Sequence, residues 1–180
     1  MEQPLFTPST DSIVAARVGP ITGAPRPAAV IFLGTFVVGL LDILLAAVYY
    51  QAPILGCFRG VAAGVLGRAA FQGGLPASLL GAALHFFIAF SIVSVYYLAS
   101  RRIPALVQRP VLCGLLYGLG EFVFMNYFVV PLSAAGSFDR LPTSPSFIFW
   151  HALGQAVLVG LPSAVAAKAA SPPDPTRSSS

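Results

Sequence analysis

Four long apolar runs organise this chain, at roughly 28–50, 77–99, 111–131 and 147–167, separated by short stretches rich in Pro, Gly, Ser and Arg. Each reaches the about 20 residues that a helix needs to cross a hydrocarbon core of about 30 Å. A fifth apolar stretch, ILGCFRGVAAGVLGRAAF at 54–71, is interrupted by Arg59 and Arg68. An arginine at mid-bilayer costs at least ~2.5 kcal/mol, so the two arginines predict an interfacial or partly re-entrant helix for 54–71 rather than a further free-standing span. The pattern predicts an all-α polytopic membrane protein with four transmembrane helices plus one short interfacial or re-entrant helix.

Residues 1–27 hold Pro, Ser, Thr and charges without an apolar block, and 168–180 ends in SPPDPTRSSS. Neither has enough apolar surface to fold alone, so both read as disordered tails around a transmembrane domain at 28–167. The start carries Glu2 and no apolar run follows it, which is unlike a cleaved secretory signal.

Composition narrows the class further. Of 180 residues 57% are hydrophobic and 9% charged, against about 25% charged in an average soluble domain. Nine Arg and one Lys face six Asp and Glu, a net +4. So small an excess on so apolar a chain does not suggest nucleic acid as a partner. In such a chain basic residues set orientation. The tails and the 100–110 turn hold Arg17, Arg26, Arg101, Arg102, Arg109, Lys168 and Arg177, whereas the other two loops hold Arg59, Arg68 and Arg140. Seven against three predicts both termini in the cytoplasm, and the preference for Arg over Lys, with abundant Ala, Gly and Pro, suggests a GC-rich bacterial genome. Two cysteines, Cys57 and Cys113, form neither a disulfide framework nor a zinc spacing.

Candidate chemistry lies inside the spans, where an ionisable side chain is expensive and normally faces a bundle interior or a cavity. Each span carries one such group: Asp42, His85, Glu121 and His151. Helical spacing places each on a small or polar stripe: Thr35, Gly39, Asp42, Ala46 and Tyr49; Ser78, Gly81, His85, Ala89 and Tyr96; Gly114, Gly118, Glu121 and Met125; Phe147, His151, Gly154, Gln155 and Leu158. At about 1.5 Å per residue, Asp42 and His85 fall roughly 12 Å below the outer ends of their spans, and Glu121, Gln155, His151 and Asn126 lie in the middle and outer half. These six predict an outward-facing polar pocket, capped by the 54–71 helix. Gly56, Gly60, Gly64 and Gly67 give that helix one smooth stripe, which suits close helix approach and also homo-oligomerisation. Of Arg59 and Arg68, one is expected to reach lipid phosphate and the other to pair with Asp42 or Glu121. Tyr49, Tyr50, Tyr96, Tyr97 and Trp150 read as interface residues at the span ends.

Two functions fit these residues. Carboxylates and histidines in series are the parts of proton relays, which suggests a small solute- or proton-linked transporter or accessory permease with no cofactor. Alternatively His85 and His151 ligate a b-type haem in an electron-transfer subunit. No nucleophile triad, metal-ligand spacing or phosphate loop supports an enzyme.

Across residues 77–160 the chain resembles the YagU-like family of bacterial inner-membrane proteins. The resemblance lies in His85 followed by Tyr96, Pro104, GLLYG at 114–118, Pro131-Leu132, and His151 in the last span. It implies an inner-membrane helical protein of uncharacterised function. Asp42 and Glu121 are outside the family pattern.

Overall fold

The computed structural model describes residues 27–136 and 144–171. The readings of 1–26 and 172–180 as tails, and of Arg140 as a loop charge, lie outside the described residues. Among the described residues the chain is all-helical with no strand. It comprises α1 (Pro27–Tyr49), α2 (Ile54–Phe71), α3 (Gly74–Ser100), the single turn α4 (Ala105–Gln108), α5 (Pro110–Leu132) and α6 (Pro145–Ala169). Proline opens α5 and α6, a position where its missing N–H costs nothing and its fixed φ already suits a helix. The last helix runs past the expected start of the tail at 168. Lys168 and Ala169 are helical, and the Ala170 N–H still bonds the Ala166 carbonyl at 2.9 Å.

Apart from α4, the helices are long and apolar enough to cross a membrane. Four of them, α1, α3, α5 and α6, alternate in direction. Phe32 stacks on Phe90 and Phe36 on Phe86, which sets α3 antiparallel to α1. On α6, Ala166 lies beside Gly34 and Gly154 beside Leu45, so α6 is antiparallel to α1 as well. We call the end of the bundle that holds Pro27 and Ala169 proximal and the opposite end distal.

By length and composition α2 also qualifies as a span, yet it enters and leaves at the distal end. Its α-helical part, Ile54–Leu66, stops at Gly67, whose φ of +60° is left-handed and favours glycine. The 3₁₀ turn Gly67–Phe71 then folds back, so that the Arg59 Nη1 donates to the Phe71 carbonyl at 3.4 Å. On a straight helix those residues would lie about 18 Å apart. Ala62, Ala63, Ala70 and Ala135 close around the reversal as a small core, and the Ala134 N–H bonds the Gly64 carbonyl at 3.0 Å.

Close helix approach explains the glycine stripes of α3, α5 and α6, but not the expected stripe of α2, where a Cβ at Gly60 would meet nothing within 4 Å and one at Gly64 or Gly67 nothing closer than 3.8 Å. A Cβ at Gly81 would stand 1.7 Å from the Phe58 carbonyl oxygen, because α2 crosses α3 there backbone to backbone. A Cβ at Gly160 would stand 2.0 Å from the Gly114 oxygen where α5 meets α6. The Gly114–Gly118 pair therefore serves packing inside the chain. At the proximal end the Tyr96 hydroxyl donates to the Leu106 carbonyl at 3.1 Å, and the Tyr117 hydroxyl to the Ile92 carbonyl at 2.8 Å. Tyr96 is 1% exposed, so it is a core residue and not the interface residue that its place near a span end suggested.

Both α5 and α6 contain a π-helical turn, Met125–Val129 and Ala156–Gly160, each ending two residues before a proline, Pro131 and Pro162. Proline inside a helix lacks one N–H and clashes with the carbonyl four residues back, and a widened turn relieves both. The extra residue shifts the register. Val159 rather than Leu158 turns inward after Gln155, and is 1% exposed.

Large apolar side chains face outward: Phe32, Leu33, Phe87, Leu116, Phe124 and Val165 are each more than half exposed. Inside, Ala, Gly and Ser dominate the buried positions. This apolar exterior over a small-residue interior is compatible with an integral membrane protein in contact with a lipid bilayer.

Candidate functional site

A cavity of about 530 Å³ occupies the distal half of the bundle. Its walls come from α1, α3, α5 and α6, with α2 closing one side through Gly56, Cys57, Gly60, Val61 and Gly64. The structure brings Asp42, His85, Glu121, Asn126, His151 and Gln155 onto this single wall. Most of the remainder is apolar and includes Val38, Ile88, Ile92, Met125 and Val129.

Asp42 lies seven residues from the distal end of α1, and its Oδ1 accepts a 2.7 Å hydrogen bond from the Gln155 Nε2 on α6. That bond fixes the amide, since the opposite flip would set oxygen against carboxylate. Among the described residues the Gln155 Oε1 is then left buried without a hydrogen-bond partner, as are the Glu121 Oε2 and the His151 Nδ1. The Asn126 Nδ2 turns back along α5 to the Phe122 carbonyl at 2.8 Å.

The two histidines differ. The His85 Nε2–H donates to the Gly39 carbonyl at 2.8 Å and so ties α3 to the backbone of α1. Phe58 and Phe86 meet its ring edge-on. His151 sits in an aromatic box, stacked on Tyr49 at 5.0 Å, with Phe122 and Phe147 edge-on at 5.3 and 5.7 Å. Tyr49, half-buried at the distal end of α1, thus stacks on a cavity residue without lining the cavity itself. Its place four residues before Pro53 gave no sign of that, although its position on the Asp42 stripe did.

Asp42 lies within Coulombic range of His85, His151 and Glu121. Among the described residues no Lys or Arg lines the cavity. The expected pairing of an arginine with Asp42 or Glu121 is not made by Arg59. Its Nε and Nη1 donate to the Leu55 and Phe71 carbonyls, both at 3.4 Å, because the reversal at Gly67 lays Phe71 against it. Arg68, on the 3₁₀ turn, is exposed and away from the cavity wall. Two carboxyl groups close together in a low dielectric repel strongly, so the set is balanced by a proton, a protonated imidazole or a bound cation. Among the described residues no group of three or more His, Cys, Asp or Glu is arranged to hold a metal ion.

Comparison with protein families, with curated proteins and with solved structures finds no match, and the reading of this site rests on its own geometry.

Proposed function

We propose that this chain is an integral protein of a bacterial inner membrane whose distal cavity opens outward and handles protons or a small solute, as a minor transporter or accessory permease. One observation carries this reading. Asp42, His85, Glu121 and His151, each the ionisable group of an otherwise apolar helix, share the wall of one cavity. A structural ion pair would join one acid to one base, whereas among the described residues these two carboxyl groups share the cavity lining with two imidazoles and no Lys or Arg, and the Glu121 Oε2 has no hydrogen-bond partner. The orientation, with both termini cytoplasmic, rests on the seven basic residues assigned to the tails and the proximal turn.

Kinship with the YagU-like family remains part of the proposal. Tyr96, Gly114, Tyr117 and Gly118 from its pattern make proximal contacts between helices, so the shared part would be the frame and not the carboxylates. The haem alternative has less behind it. The His85 Nε2 is already committed to Gly39, and the ring of His151 is packed by aromatic neighbours.

In liposomes holding a pH-sensitive dye, the wild type is expected to discharge an imposed pH gradient faster than empty vesicles. Glu121→Gln and Asp42→Asn preserve shape and should insert normally. Each should slow the discharge roughly ten-fold or more, the change that about 1.4 kcal/mol makes in a rate. Variants as fast as wild type, or a wild type no faster than empty liposomes, would remove the reading. Topology is checked separately in intact cells. Tags at both termini should resist external protease while an impermeant maleimide reaches Cys57; termini on opposite sides would mean that α2 crosses.

A further inference from the structure

We propose that the cavity recognises a primary ammonium group carried on an apolar body. This deepens the reading of the cavity as a solute site and rests on it.

The chemistry of the unsatisfied groups points to a donor. Of the three buried side-chain atoms without a partner among the described residues, the Glu121 Oε2 and Gln155 Oε1 are acceptors, the second on a side chain only 8% exposed, the His151 Nδ1 accepts in one neutral tautomer, and Asp42 adds a carboxylate beside them. An ammonium brings three N–H donors to these acceptors and one positive charge to the two carboxyl groups. A hard metal ion wants six or more oxygen ligands, of which these three side chains would supply only part, and it makes no use of the apolar wall beside them.

The rest of the wall fits the body of such a ligand. Val38, Ile88, Ile92, Met125 and Val129 offer apolar surface next to the acidic end, the division found in many small-molecule sites. Opposite them α2 presents Gly60, at which a Cβ would meet nothing within 4 Å. The glycine face of α2 thus leaves room that side chains would fill. The ammonium lies at Asp42, Glu121 and Gln155, and the apolar body extends toward α2.

Cys57 lines the same cavity and reports on it. The experiment uses the full chain with Cys113→Ser, in nanodiscs of phosphatidylcholine and phosphatidylglycerol, which carry no primary ammonium. Modification of Cys57 by a cationic aminoethyl methanethiosulfonate is expected to exceed that by the anionic sulfonatoethyl reagent. Hexylammonium should protect Cys57 where equal concentrations of hexanol, hexanoate or sodium ion do not. Glu121→Gln should weaken that protection roughly ten-fold, the factor expected for one lost charge-assisted hydrogen bond. Gly60→Leu should abolish it by filling the space for the body while leaving both carboxyl groups in place.

Equal protection by hexanol would reduce the site to an apolar cleft, and protection by sodium ion would make it an inorganic cation site. Either result, or no protection by hexylammonium, overturns the proposal. Protection in phosphatidylethanolamine nanodiscs without added amine would assign the same ammonium chemistry to a lipid headgroup. The two readings fail separately. Lost amine protection with proton flux retained sinks only the ammonium, and lost flux with protection retained sinks only transport.

Discussion

Gly81→Val is expected to prise α2 off the bundle and to destabilise the protein by about 3 kcal/mol, the upper part of the usual range for overpacking. The new Cβ would stand 1.7 Å from the Phe58 oxygen, 2.5 Å from its carbon and 3.2 Å from the Ala62 nitrogen. All three are backbone atoms, so no rotamer change relieves the clash and the two helices must separate. Separation also breaks the 3.0 Å bond from the Ser78 hydroxyl to the Leu55 carbonyl and the edge contact between Phe58 and His85. Thermal melting in detergent should therefore start well below that of wild type, and Cys57 should react faster as the wall it belongs to lifts. Gly81→Ala should do the same to a lesser degree. A valine variant that melts and labels like wild type would mean that α2 does not cross α3 at this point.

Gln155→Leu is expected to cost about 2 kcal/mol although it keeps the volume of the side chain, because a hydrogen bond to a charged group contributes about 1.5–3 kcal/mol. The loss leaves the Asp42 carboxylate without its 2.7 Å donor inside the bundle. Asp42→Leu alone is expected to be destabilising too, since it leaves the buried amide of Gln155 without its acceptor. With both partners apolar the penalty largely disappears, as removing a complete polar pair is far cheaper than breaking one. The double variant should melt close to wild type and yet fail to discharge a pH gradient, which separates what holds the helices together from what the cavity does. Strict additivity of the two single losses in a double-mutant cycle would show that the bond is not made.

The frame was legible because apolar runs of about twenty residues leave little choice of structure. The six polar residues stood out for the same reason, since an acid or imidazole in such a run has few places to go. What escaped the sequence has identifiable causes. The π turns alter the helical period that assigned Leu158 to the inner stripe, and Pro131 and Pro162 were the available warning. The reversal of α2 depends on a left-handed Gly67 among several glycines, none of which announces its φ. Arg59 was expected at a carboxylate, but two backbone carbonyls within reach of its guanidinium were invisible without the turn that delivers them. Tyr96 sits near a helix end, as membrane-interface residues do, and only the packing of its neighbours shows that it points inward.

Because α2 returns to the end of the bundle at which it enters, it adds nothing to the parity of crossings. The directions of α3, α5 and α6 would be the same without it. The other long helices, at 23 to 27 residues, are held to lengths that suit a bilayer, whereas the 13-residue helical part of α2 answers to no such thickness. On its cavity face, where a Cβ at Gly60 would meet nothing within 4 Å, it can change a side chain and leave every other helix in register. The wall that gives the cavity its width is thus open to retuning for a different occupant.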